Sequence, residues 1–368
     1  MTIGTGRMDR VRAAMEQHDV DVLLLSVGAD LPWLTGYEAM PLERLTMLVV
    51  PREGRATLVV PGLEAPRVTE RPDLFDLRPW SETDDPVEIV AELVGSARRG
   101  AIGDQTWARF VVELQRAAPR LELGRAGPVV GPLRAVKEPG EIDMLARAAA
   151  AVDRIAARLQ GGEIDLVGRT EAEVSAELGR QILAEGHHKV NFAIVAAGEN
   201  AASPHHEAGD RSIEGGEVVL CDFGGTMVGP DGIGYCSDIT RCVWTGSAPA
   251  EFRELYDVLQ QAQAASVQAV HPGVAAEAID AAARDVIASA GLGDYFVHRT
   301  GHGIGVEAHE DPYIVAGNDE PVQAGNAFSI EPGIYVPGRW GARLEDIVVV
   351  ARAGVRPLNR VAHQLVEV

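Results

Sequence analysis

EVVLCDFGGTMVGPDGIGYCSDITRCVW, residues 217–244, is two β-like runs around a loop rich in glycine, proline and aspartate. Each run carries a carboxylate where an apolar side chain costs less. Asp222 follows Val-Val-Leu-Cys, and Asp238 precedes Ile-Thr-Arg-Cys-Val-Trp. An unpaired carboxylate on a buried strand costs several kcal/mol, so one alone reads as a strand end or a satisfied ion pair. The pattern recurs. Glu331 stands inside NAFSIEPGIYV (326–336) and Glu345 inside ARLEDIVVV (342–350), two runs that flank the turn signal PGRWG (337–341) and read as a hairpin. Upstream of them, TGHGIGVEAHEDP (300–312) sets His302 and His309 on a glycine-rich backbone with no cysteine beside them. The glycines read as letting the backbone approach a metal closely.

Four carboxylates in one place repel unless cations neutralise them. Carboxylates with one imidazole and no thiolate suit Mn²⁺, Co²⁺ or Fe²⁺ better than structural Zn²⁺. Two bridging carboxylates hold a metal pair about 3.5–4 Å apart, as in two-metal hydrolases.

The chain of 368 residues exceeds one ordinary core, so two domains are expected. VDVLLLSV (20–27), LTMLVVP (45–51) and ATLVVP (56–61) read as strands within a strand–helix mixture that runs to Leu121. ELGRAGPVVGP (122–132) reads as the linker, which gives an N-terminal domain over 1–124 and a C-terminal one over 125–368. A long helix is expected after it, with Pro139 near its start. GRTEAEVSAELGRQILAEG (168–186) and GVAAEAIDAAARDVIASAG (273–291) then match in length, in terminal glycines and in apolar positions (Val174/Ile279, Ile182/Ile287). They are either two generic amphipathic helices with glycine caps or the mark of an internally duplicated domain.

Composition narrows the partners. A net charge of −21 argues against nucleic acid and against an anionic membrane surface. The three cysteines, Cys221, Cys236 and Cys242, form no disulfide framework, and no apolar run reaches signal-peptide or membrane-spanning length, so cytoplasm is the expected compartment.

In order over roughly residues 190–350, NFAIVAAGENAASPHH, VVLCDFGG with YCSDITR, HRTGHGIGVEAHEDP, SIEPGIY and ARLEDIVVV resemble the pita-bread family. That family comprises methionine aminopeptidase, aminopeptidase P, prolidase and, without metal, creatinase. The part before residue 130 is similar, more loosely, to the creatinase-type N-terminal domain, which methionine aminopeptidases lack. The resemblance implies an α+β protein: a C-terminal pita-bread catalytic domain with duplicated helix-and-sheet halves, after a smaller α/β domain. It implies a homodimeric peptidase with two divalent ions, Mn²⁺ first and Co²⁺, Fe²⁺ or Zn²⁺ as alternatives. Asp222 would bind one ion and His302 with Glu331 the other, with Asp238 and Glu345 bridging; a bridging hydroxide would attack the scissile carbonyl.

The same resemblance makes His309 the group on the tetrahedral intermediate, His205 a histidine facing the P1′ side and Glu331 the proton shuttle. His206 reads as a solvated loop residue. His298 matches a histidine of the prolyl branch, Arg343 a partner of the bridging carboxylate Glu345, and Tyr335 a residue near the metals. Tyr313 stands where some prolidases carry an arginine for the dipeptide's carboxylate. Arg44, after Glu43 in the N-terminal domain, is then the candidate replacement cation, against a plain surface arginine; Trp33 lines the entrance or packs in the core. The loop between Asp222 and Asp238 is longer than in most relatives. The expected activity is Xaa-Pro dipeptidase. Aminopeptidase P acting on longer peptides is the alternative, followed by a metal-free creatinase-like hydrolase and a non-catalytic binding protein.

Overall fold

A computed structural model of the protein describes residues 3–368. The chain forms two compact units. One runs to Arg134 and includes Pro230–Ile233; the other comprises Ala135–Gly229 and Gly234–Val368.

In the first unit the apolar runs become strands of a mixed sheet: β1 (Val22–Leu25), β2 (Met47–Pro51), β3 (Ala56–Pro61), β4 (Phe75–Trp80), β5 (Arg99–Ile102) and β6 (Glu122–Arg125), in the order β4-β3-β2-β1-β5-β6. Around it lie α1 (Ile3–Gln17), α2 (Asp30–Thr35), α3 (Pro86–Val94), α4 (Ala108–Ala117) and α5 (Gly127–Ala135). Leu24, Met47, Val49 and Val59 from the sheet pack against Val87, Val90, Phe110 and Leu114 from α3 and α4. The stretch 122–132 is not a linker. Its first residues make the edge strand β6, paired to β5, and its Gly-Pro opens α5, where proline in the first turn forfeits no hydrogen bond.

The second unit contains α6 (Pro139–Gln160), α7 (Glu171–Ala184), β7 (Lys189–Ala197), β8 (Val218–Val228), β9 (Gly234–Cys236), β10 (Ile239–Trp244), α8 (Ala250–Ala269) and α9 (Ala276–Ser289). After these come β11 (Gly301–Gly303), β12 (Glu310–Ile314), β13 (Ala327–Ile330), β14 (Gly333–Val336), β15 (Trp340–Arg343), β16 (Asp346–Ala351), β17 (Gly354–Pro357) and β18 (Val366–Glu367). One sheet runs β18-β10-β8-β7 with β9 on β8; another runs β12-β11-β13-β16-β17; β14 and β15 form a ribbon.

The duplication shows in the helices. α7 and α9 each span 14 residues. The flanking glycines Gly168, Gly186, Gly273 and Gly291 all have positive φ, where a Cβ is strained. Val174, Ile182, Ile279 and Ile287 are all fully buried. α7 packs on the first sheet through Val174, Leu178 and Ile182 against Val219, Cys221 and Phe223. On the second sheet, Ile279 of α9 joins Ile314, Phe328, Ile330 and Val348.

Three of the runs read as single strands are broken, and each break falls at a carboxylate. Asp238 separates β9 from β10, Glu331 follows β13, and Glu345 lies between β15 and β16. The hairpin across PGRWG forms as β14–β15, while β13 pairs with β16 on the far side of both breaks. Leaving the ladder frees the backbone to turn the side chain inward. Asp222 alone stays within a continuous strand, paired to Ile194 on one side and Thr240 on the other.

Candidate metal centre

The two sheets of the second unit meet where Thr240 bridges to Glu345, whose N–H donates to the Thr240 carbonyl at 3.3 Å. The carboxylates gather at this seam. Asp238, His302 and Glu345, all buried, each offer a ligand atom, and these atoms lie within 4.8 Å of one another. His302 Nε2 is 3.2 Å from Glu331 Oε1 and 3.9 Å from Asp238 Oδ2. On its other side His302 Nδ1 faces the Gly303 carbonyl at 3.1 Å and donates to it, so Nε2 is the ring nitrogen turned to the carboxylates. Ser329 Oγ accepts from the His302 N–H and donates to Glu331 Oε1. The Glu331 N–H is fixed on the Thr300 carbonyl at 2.7 Å.

This cluster is short of positive charge. Asp222 Oδ1, Asp238 Oδ1 and Glu345 Oε1 are buried with no hydrogen-bond partner among the described residues. Burial, followed by the charges of Glu345 and Asp222, pushes Asp238 well above the usual carboxylate range; burial, then Glu331 and Asp222, does the same to Glu345. Glu331 moves the other way. Burial would raise it, but the hydrogen bond and charge of His302 outweigh burial and keep it ionised. Bare acceptors aimed at one another, with an imidazole among them and no thiol, suit a divalent cation better than a packed core.

A chain of hydrogen bonds surrounds the cluster. Arg343 is buried and donates to Asp222 Oδ2, to the Tyr335 hydroxyl at 2.8 Å, to the Pro204 carbonyl and to Thr240 Oγ1. Tyr335 in turn faces His298 Nε2 at 2.8 Å, and His298 Nδ1 faces the Arg299 carbonyl, so the hydroxyl donates to Nε2. Burial pushes the His298 imidazole down. Arg343 therefore grips Asp222 rather than Glu345. It reaches Glu345 only through Thr240, whose hydroxyl donates to Glu345 Oε2 at 2.7 Å.

His309 packs its ring on that of His302, with centroids 4.0 Å apart, and keeps one side open to solvent. Lost hydration at that contact, then the positive neighbours His302 and Arg299, push its imidazole down to about 4. His205 is exposed on the loop after β7 and sits close enough to His298 and His309 for its charge to act on both. Tyr313 is half-buried beneath the guanidinium of Arg299. In the first unit, Arg44 is an exposed-side arginine bonded to Glu43 and Glu82, and Trp33 is a core residue. The glycines of 301–303 serve strand packing: a Cβ on Gly301 would collide with the Ser329 carbonyl and one on Gly303 with Asp311.

Two groups of supporting residues escape a reading of the sequence. Glu171, fully buried in the first turn of α7, accepts from the Ala197 N–H at 2.8 Å, from Asn200 and from His206 Nε2 at 2.7 Å. It closes the loop that carries His205, and His206 is its tether rather than a solvated neighbour. On α9, Asp280 accepts from the Thr300 N–H and hydroxyl, while its i+4 partner Arg284 donates to the Phe296 and His298 carbonyls. The i,i+4 spacing was a visible signal for that pair; nothing local marks Glu171.

A seam of buried carboxylates and one imidazole is a donor set that suits divalent cations, as in metal-dependent hydrolases. Comparison with known proteins agrees with this. Residues 143–352 match the metallopeptidase family M24 and residues 7–136 the creatinase/prolidase N-terminal domain. The protein named probable dipeptidase PepE from Mycobacterium tuberculosis is 45% identical over 366 residues, covering 98% of this chain and 96% of its own. Xaa-Pro dipeptidase from Lactobacillus helveticus is 34% identical over 95% of each chain. The crystal structure of dipeptidase PepE from Mycobacterium ulcerans superposes with a TM-score of 0.92 at 46% identity, covering 100% of this chain and 98% of its own. The chain belongs to metallopeptidase family M24, with the pita-bread catalytic domain and creatinase-type N-terminal domain that its motifs implied. No helix among the described residues is long and apolar enough to cross a membrane.

Proposed function

We propose that this protein is an Xaa-Pro dipeptidase that holds two divalent cations, Mn²⁺ foremost, on Asp222, Asp238, His302, Glu331 and Glu345. The observation that carries the reading is the set of three buried carboxylate oxygens at one seam that have no hydrogen-bond partner among the described residues. The names borne by the Lactobacillus helveticus and Mycobacterium tuberculosis relatives support a dipeptide substrate. When bound, such cations acidify and orient a water and polarise a carbonyl.

The chain's own groups then divide the work. Glu331, held ionised beside His302, takes the proton of the attacking water and delivers it to the departing prolyl nitrogen. His309 is neutral at pH 7 and donates a hydrogen bond to the oxygen that gains charge in the transition state. His205 and His298 face the proline side. A homodimer, as the family resemblance implies, working in the cytoplasm, as the cysteine usage suggests, completes the reading.

The test is hydrolysis of Ala-Pro against Ala-Pro-Ala by protein supplied with Mn²⁺. The reading expects efficient cleavage of the dipeptide and poor cleavage of the tripeptide. Equal or better use of the tripeptide points to an aminopeptidase and contradicts it. Glu331→Gln is expected to abolish turnover in a folded protein.

A further inference from the structure

Side-chain donors orient most of the seam's carboxylates. Arg343 grips Asp222, Thr240 donates to Glu345 and Ser329 to Glu331. Asp238 has no such donor among the described residues: Oδ1 is bare, and Oδ2 lies 3.9 Å from His302 Nε2. Its direction is therefore set by the backbone that carries it.

That backbone departs from the ladder in a specific way. Thr226 pairs with Cys236 and Phe223 with Ile239, so Ser237 and Asp238 stand opposite Gly225 and Gly224 in an unshifted register. Opposed antiparallel residues that bond exchange two main-chain hydrogen bonds. Here the Ser237 N–H reaches the Gly225 carbonyl at 2.8 Å, but the return bond from the Gly225 N–H goes to Ser237 Oγ at 3.2 Å. The Ser237 carbonyl is left tipped toward Gly224, where a Cβ would stand only 2.0 Å from it. A hydroxyl stands in for a ladder carbonyl, and the peptide that leads into Asp238 is turned out of the sheet.

His187 fixes that hydroxyl. It is buried between α7 and β7, with Nε2 2.8 Å from Ser237 Oγ. Its ring lies against Gly225, where a Cβ would come within 3.0 Å of Cδ2. Nδ1 is buried with no hydrogen-bond partner among the described residues. The tautomer that leaves no N–H bare has the proton on Nε2, donated to Ser237 Oγ. The hydroxyl then accepts from His187 and Gly225 and donates to the Gly225 carbonyl at 3.3 Å, which uses its one donor and both acceptor positions. A buried imidazole with one bare nitrogen is a costly way to fill space, so packing alone does not account for it.

We propose that His187 is a positioning residue: through Ser237 it holds the tipped peptide that aims Asp238 into the metal centre. The inference rests on the cation reading above.

The test is calorimetric titration of the metal-free full chain with Mn²⁺, alongside thermal melts and Ala-Pro hydrolysis. His187→Leu, which cannot hold the hydroxyl, is expected to weaken Mn²⁺ binding per folded molecule by about 10-fold or more, the lower end of the range for losing a partner behind a metal ligand. Ser237→Ala should weaken it similarly, and adding His187→Leu to it should cost little more, because the two act as one unit. His187→Gln, whose amide N–H can reach Ser237, should recover most of the affinity. Ser175→Ala, which removes another serine bond to the same sheet, from Oγ to the Ala193 carbonyl, should leave Mn²⁺ affinity unchanged. A His187→Leu chain that melts lower yet binds Mn²⁺ as the wild type does makes His187 structural only and overturns the proposal, while the cation reading stands. Should that variant fail to fold, Ser237→Ala with wild-type Mn²⁺ affinity overturns it equally. A wild type that binds no Mn²⁺ tightly overturns the cation reading and this proposal together.

Discussion

Glu345 and Asp346 are neighbours, both carboxylates and both buried, yet the fold treats them oppositely. Asp346 accepts from Arg241 at 2.7 Å, from Gln263 and from His363 at 2.6 Å. Burial would raise its pKa, but Arg241 and His363 outweigh burial and lower it. Glu345 has only the Thr240 hydroxyl, one bare oxygen and two repelling carboxylates, and it rises. The first is a fully paired ion; the second keeps a buried oxygen with no hydrogen-bond partner among the described residues. Burial alone does not separate the two, whereas the count of partners does.

Replacing each member breaks this comparison. Glu345→Gln should have the largest effect on activity, with bound metal and turnover falling beyond the roughly 10- to 100-fold cost of altering only a ligand's hydrogen-bond partner. Asp346→Asn should instead destabilise the fold by about 3–5 kcal/mol, as expected when one partner of a buried pair is removed, with near-normal activity in the protein that remains folded. Metal analysis, turnover and chemical denaturation measure the three quantities. His309→Ala comes next, lowering kcat by roughly 100-fold with little change in metal content or KM.

The two carboxylates should also give opposite pH dependences in metal-free protein. Glu345 and Asp238 have folded pKa values above their ordinary 4.5 and 3.8, so above those values the folded chain binds more protons than the unfolded one. Their contribution to stability falls as pH rises. Metal-free Glu345→Gln should therefore be more stable than metal-free wild type at pH 8, with the advantage shrinking toward pH 5. Asp346 is lowered from 3.8, so its contribution is present above that value and lost as pH falls through the lowered one. Thermal melts across pH distinguish the signs; a Glu345→Gln melt below that of metal-free wild type at pH 8 contradicts the account.

The smallest expected effect concerns the His205 loop. His206→Ala frees Glu171 and should cost roughly 10-fold in kcat/KM through misplacement, and much less once His205 is already alanine. Equal losses in both backgrounds assign Glu171 to folding alone.

The apolar runs, the turn residues and the paired glycines made the strands, helices and duplication legible, because these are local signals. The breaks at Asp238, Glu331 and Glu345 were not, since the point at which a strand changes partner is set by pairing across the sheet. The same holds for Arg343, which spacing joined to Glu345 but folding delivers to Asp222. It holds too for the linker reading of 122–132, where pairing to β5 recruits the glycine-containing segment as an edge strand. His206 looked solvated because its partner Glu171 lies on a different element, 35 residues away.

The most direct test of the central claim is a titration of metal-free protein with Mn²⁺, monitoring binding and Ala-Pro hydrolysis together. The account predicts saturation at two ions per chain, with activity appearing as the sites fill and both lost in Glu345→Gln. A wild-type chain that binds no Mn²⁺ tightly and gains no activity from it would contradict the account.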